Sequence, residues 1–149
     1  MTIIESENTI GPRIKMLNTL VEKELNNALA NLDTPLTGTQ MAVLMTINDT
    51  QGKVITQKDM EQSLRLSHPT IRGVIKRLVA MNLISTSKLA NDQRQVVLNM
   101  TSTGTKLVTD NRDKITQSVQ NVEVKMVAGL SIETQQLILQ TLNKMISNF

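Results

Sequence analysis

Between Ser67 and Met100 the spacing of apolar residues in this 149-residue chain changes from a rhythm of three and four to strict alternation, so a helix must give way to strands. Ile71, Val74, Ile75 and Leu78 fall within about 100° of arc on a helical wheel. Arg72, Gly73 and Lys76 take the opposite side, flanked by Thr70 and Arg77. Ser67 is placed to cap this helix, and Pro69 falls in its first turn, where a missing N–H costs nothing. Beyond it, Ile84, Thr86 and Lys88 alternate with Ser85 and Ser87, and Val96, Leu98 and Met100 alternate with Val97 and Asn99, with a turn at Ala90-Asn91-Asp92. The pattern predicts a helix with two long cations around a glycine, then a hairpin with Arg94 at its tip. Such a pair can put the helix in a major groove and the loop in the neighbouring minor groove.

The remainder reads as helices. Ile10, Ile14, Leu17, Val21, Leu25, Ala28 and Leu32 form one stripe of roughly six turns, interrupted by Asp33-Thr34-Pro35. Thr37 with Gln40 forms a capping box for a second helix that buries Met41, Val43, Leu44 and Ile47. Thr56 with Asp59 opens a third, with Met60 and Leu64 facing inward and Arg65-Leu66 as the tight turn into Ser67. Thr101 caps a long helix whose stripe, Val108, Arg112, Ile115, Val119, Val122 and Met126, steps by four and three, a partly coiled-coil seam holding one cation. Gly129 ends it, and Ser131 starts a last helix carrying Leu137, Ile138, Leu142, Met145, Ile146 and Phe149. The expected fold is mainly α with a small β-hairpin wing. A winged helix-turn-helix reader over 35–100 sits in a helical dimerisation frame supplied by 1–34 and 101–149.

Composition narrows the chemistry. Aromatic residues make up 1% of the chain, so Leu, Ile, Val and Met must fill the interior. The net charge is only +3, but residues 53–94 carry eight basic side chains against three acids, a net of +5, which leaves −2 for the rest. Positive charge is concentrated where the reader lies, as a polyanionic partner requires. The absence of cysteine excludes disulfides and thiol chemistry, and the single histidine, His68, excludes a multi-His metal site. There is no nucleophile elbow, no Gly-rich phosphate loop and no metal-spaced cluster, so neither an enzyme nor a cofactor is expected. No apolar run approaches the ~18 residues of a membrane span, and Met1-Thr2-Ile3-Ile4-Glu5 lacks the features of a signal peptide; a cytoplasmic protein without a membrane partner is expected.

Three segments in order resemble the MarR family of bacterial and archaeal transcriptional regulators. They are Ser67-His68-Pro69-Thr70, then Arg77-Leu78 with Met81-Asn82-Leu83-Ile84, and Asp92-Gln93-Arg94-Gln95-Val96-Val97-Leu98 running into Met100-Thr101-Ser102-Thr103-Gly104. Asn82 stands where the family usually has glycine, and Asn also tolerates the left-handed conformation of a helix end. The resemblance implies a homodimer whose first and last two helices interlock, with recognition helices in successive major grooves of a palindromic double-stranded DNA operator. It also implies a small anionic or aromatic effector of unknown identity in the crevice between reader and frame; a repressor relieved by that effector is expected, with an activator as the alternative. Arg94 looks like the family's minor-groove arginine, and Asp92 resembles the acid that braces the wing. The lack of cysteine argues against the oxidant-sensing branch, and the lone histidine against the zinc-sensing one.

The candidate DNA-binding residues are therefore Ser67, His68, Thr70, Arg72, Gly73, Lys76, Arg77, Lys88, Asp92 and Arg94. Ser67 serves equally as a cap alone, and His68 as an exposed first-turn residue. The candidate dimerisation residues are Ile14, Leu17, Val21, Ile115, Val119, Val122, Met126, Leu142 and Met145. The alternative is a winged-helix module whose charged face meets an acidic protein, without sequence-specific DNA binding.

Overall fold

Side-chain caps set where most of the helices begin. In the computed structural model, which describes residues 8–149, helix α1 runs Ile10–Leu29 and α2 Gly38–Asp49. A two-residue strand β1 (Ile55–Thr56) leads into α3 (Gln57–Leu64) and α4 (His68–Ala80). Strands β2 (Ile84–Lys88) and β3 (Val96–Met100) form the hairpin, and α5 (Ser102–Met126) and α6 (Ile132–Ser147) close the chain. The first seven residues of the 1–34 segment lie outside the described residues. Both expected boxes are present: Gln40 N–H donates to Thr37 Oγ1 while Thr37 N–H donates to Gln40 Oε1, and Asp59 and Thr56 exchange the same pair of bonds. Ser67, Thr101 and Ser131 cap their helices through the hydroxyl alone. Each cap contributes about 1 kcal/mol.

The hairpin is not alone. β1 pairs antiparallel with β3, Ile55 opposite Leu98 and Thr56 opposite Val97, so the sheet is three-stranded in the order β1-β3-β2. Two residues are too few to show alternation, which is why the sequence pattern missed this strand. It ties the start of α3 directly to the wing.

The core is aliphatic throughout. Val43, Leu44 and Ile47 of α2, Met60 of α3 and Ile71, Ile75 and Leu78 of α4 cluster with Leu83, Ile84 and Leu98 of the wing base and with Leu107, Val108 and Ile115 of α5. Ile115 therefore corrects the expected dimer seam: it is only 4% exposed and belongs to its own chain's interior. Helical spacing shows which side of a helix is covered, not which chain covers it. Arg112, the cation of that seam, is exposed and reaches Asp49 at the end of α2 at 3.5 Å. α1 stops at Leu29, three residues before its stripe ends; Leu32 enters the core from the following turn.

Coverage fades away from the reader. α1 has Ile10, Ile14, Leu17 and Leu20 exposed, Val21 half-buried and Leu29 buried. On α5 the stripe changes from buried to open between Ile115 and Val119. α6 buries none of its residues, although Ile132, Leu137, Ile138, Leu139, Leu142 and Ile146 are apolar. No helix among the described residues is long and apolar enough to cross a membrane.

Reader and frame meet at a tight junction. Asn82 turns left-handed at φ 57° to end α4. Thr101 donates its hydroxyl to Asn82 O at 2.7 Å and its N–H to Leu83 O at 3.2 Å while capping α5. Gly104 lies against this turn, where a Cβ would run into the Leu83 carbonyl oxygen and lie 3.1 Å from Met100 Cε. Gly104→Ala should therefore lower stability by about 3 kcal/mol or more, since backbone has to move to make room. Urea unfolding of both proteins measures this, and an unchanged midpoint would show that the junction is not tight.

Candidate nucleic-acid interface

The turn before α4 aims the helix. Arg65 adopts a left-handed φ of 50°, and Arg65 and Leu66 return their N–H groups to Gln62 O and Glu61 O, closing α3. Ser67 then caps α4: its Oγ accepts the Thr70 N–H at 3.3 Å and lies 2.8 Å from the Thr70 hydroxyl. Both hydroxyls are thus already engaged in the first turn.

With Ile71, Ile75 and Leu78 buried, Arg72, Gly73, Lys76 and Arg77 are all exposed. None of Arg72, Lys76, Arg77, Lys88 or Arg94 forms an ion pair among the described residues, whereas Lys106 pairs with Asp110, Arg112 with Asp49 and Lys125 with Glu24. Nothing within 4 Å would meet a Cβ on Gly73. The helix therefore presents unneutralised cations around a bare stretch of backbone, the arrangement that attracts phosphate and admits close approach.

The wing tip is braced from within. Asp92 accepts the Arg94 N–H at Oδ1 (3.1 Å) and the Gln95 side-chain amide at Oδ2 (3.3 Å). Gln95 N–H also reaches Asp92 O, and Asp92 N–H reaches Leu89 O. The half-buried carboxylate is spent on the loop's own shape, and the Arg94 side chain is left exposed beside it. Lys88 lies at the end of β2 opposite Val96.

His68 has a partner that the sequence did not reveal. Its Nδ1 lies 2.6 Å from Glu61 Oε1, and Gln57 Nε2 lies 3.1 Å from both atoms. The Gln57 amide, opposed by partial burial and then helped by His68 and Lys58, holds the Glu61 carboxyl below the usual carboxylate range. The i,i+4 spacing of Gln57 and Glu61 was visible in the sequence. Their contact with His68 crosses the α3–α4 turn, and no periodicity marks it. The cluster borders a cleft of about 320 Å³ between α3, α4 and the wing, which Lys58 and Arg94 also line. No group of three or more His, Cys, Asp or Glu side chains among the described residues is placed to hold a metal ion.

The sequence profile described as "Transcriptional regulator SarA/Rot" matches residues 28–111. No curated protein matches the chain. Among solved structures, S. aureus MepR in complex with DNA is 25% identical with a TM-score of 0.80, over 95% of this chain and 98% of that one. A mutant MarR from E. coli complexed with operator DNA is 22% identical with a TM-score of 0.79, over 97% and 99%, a likeness of fold. BpsR of Bordetella bronchiseptica, in a study of how 6-hydroxynicotinic acid regulates its DNA binding, is 25% identical with a TM-score of 0.76, over 93% of each chain.

Gly73 offers a test in which stability and binding move in opposite directions. Gly73→Ala should stabilise the chain by about 0.5–1 kcal/mol, because the site is open and helical. On the expectation that α4 faces duplex DNA at Gly73, the added methyl group should also weaken binding to it. Thermal unfolding and fluorescence anisotropy read the two effects. A stabilised variant with unaltered DNA affinity would show that Gly73 is not at the contact.

Proposed function

The chain belongs to the SarA/Rot family of transcriptional regulators, and from that premise we propose that it is a homodimeric, sequence-specific reader of double-stranded DNA, with α4 in the major groove and the wing in the minor groove. The observation that carries this reading is the set of unpaired cations on the outward arc of α4 and at the wing tip, in a fold shared with a MepR–DNA complex. Arg72 is central on the arc and is assigned to base edges. Arg77 is at its flank, nearer a phosphate. Arg94 suits a narrow minor groove, where negative potential concentrates.

The dimer is supported by the uncovered apolar surface of α1, the far half of α5 and α6. Ile14, Leu17, Val119, Met126 and Leu142 are exposed, and Val21, Val122 and Met145 half-buried. An apolar surface of this extent is a liability unless another chain covers it. Two-fold symmetry would then require an imperfect palindrome with half-sites about one helical turn apart.

A repressor relieved by an effector is the regulatory reading. Its support is a crevice of about 450 Å³ between α1, α2 and α5, bordered by Leu25, Leu29, Met41, Met45, Ile115 and Val119. No charged side chain among the described residues lines it. The lining suits an uncharged apolar effector better than an anion. Occupancy there would alter how the reader sits on the frame and so the spacing of the two recognition helices.

Selection of duplexes from a random library at ~150 mM salt, where a specific reader still discriminates, tests the central reading. A palindromic site should emerge. Arg72→Ala should cost about 1–3 kcal/mol and relax preference at one position of each half-site, while Arg77→Ala should weaken all sequences alike. Enrichment of no sequence would favour an acidic protein partner instead. By sedimentation, wild type should be dimeric, and the double variant Val119→Lys, Val122→Lys should lose both dimer and DNA affinity; a wild-type monomer that binds the selected site would overturn the dimer.

A further inference from the structure

His68 is the chain's only histidine, and it is the first residue of α4. Its side chain is 63% exposed, against 20% for Glu61. The ring thus has one nitrogen turned inward to a shielded carboxylate, while Nε2 makes no hydrogen bond among the described residues. A neutral imidazole carries one N–H only. With Nδ1–H given to Glu61, the neutral ring leaves a bare lone pair on Nε2, which repels a phosphate oxygen. Only the doubly protonated ring can serve Glu61 and a phosphate together.

We propose that DNA binding by this protein takes up a proton at His68, whose Nε2–H then donates to a backbone phosphate, and that Glu61 is the positioning residue that makes the second proton necessary. The inference rests on the reading of α4 as the DNA-contacting helix. Gln57 supports it by donating to Glu61 Oε1 at 3.1 Å, which favours the ionised carboxylate. The Glu61 carboxyl is held below its usual range, so it stays an acceptor throughout the interval in which imidazole titrates, about 6.5 for an ordinary histidine. The other charged groups lining the same cleft are Lys58 on α3 and Arg94 on the wing, and Arg72 follows His68 by four residues along α4. Because the bound phosphate favours the charged ring, affinity is highest at low pH and falls as pH rises through the histidine range.

The test is anisotropy with the full chain and a fluorescent duplex bearing the site selected from random DNA, at constant ionic strength between pH 5.5 and 7.5. Wild-type affinity should fall about fivefold over this interval, most of the tenfold that a one-unit change in one pKa allows in total. His68→Gln should bind with no pH dependence. His68→Lys, a permanent cation, should be flat and as tight as wild type at pH 5.5. Glu61→Gln is the informative variant: its amide can donate to Nδ1, so the neutral ring keeps its proton on Nε2 and donates without uptake. Its profile should flatten while His68 is still present, which a merely structural role for Glu61 would not produce. A flat wild-type profile, or equal slopes in wild type and His68→Gln, would overturn the proposal while selective binding itself persists. Absence of selective binding at every pH, with Arg72→Ala indistinguishable from wild type, would instead bring down the DNA reading and this proposal with it.

Discussion

The orientation of α4 is fixed by Ile71, Ile75 and Leu78, which are buried on its inner face where the helix packs on α2, α3 and β2. Full burial of each is worth about 1.5–3 kcal/mol, whereas a pair of side chains along a helix surface is worth about 0.2–0.5 kcal/mol. No arrangement of surface charges could compete with that anchor. Rolling the helix by one residue would expose all three, so Arg72, Gly73 and Lys76 are held outward by the opposite face. The function assigned to the outer arc is thus a consequence of packing on the inner one.

The wing depends on the same anchor through different bonds. β3 is held by β2 on one side and by β1 on the other, and β1 runs directly into the capped start of α3. Asp92 then shapes the tip by bonding the Arg94 N–H and the Gln95 amide. Helix and wing are therefore parts of one reader, packed on a shared core. The frame is less complete. Its helices are covered near the reader and open at the far end, and in the proposed dimer a second copy would supply the missing cover.

Much of this was legible in the sequence because the decisive signals are local. Thr37 with Gln40, Thr56 with Asp59, and Ser67, Thr101 and Ser131 mark helix starts through bonds that span three residues, and each helix begins where its cap requires. The outward cations of α4 were equally readable, since the 3.6-residue period determines which side chains share a face. What escaped was non-local. β1 is defined only by its partner strand. Ile115 shows the same spacing as Val119, yet one is covered by its own chain and the other is open. Glu61 and His68 meet across a turn at a separation of seven residues, where no repeat brings them together.

The central claim, that the wing enters a minor groove while α4 occupies the major groove beside it, can be tested by placing a chemical probe at the tip. The chain has no cysteine, so Gln93→Cys provides one labelling site beside Arg94 without other changes. An iron–EDTA group attached there should cleave the selected duplex in two symmetric clusters at its flanks, each offset toward the 3′ side on opposite strands, the signature of a minor-groove radical source. Cleavage spread evenly along the duplex, or no greater than that from free chelate, would contradict the account.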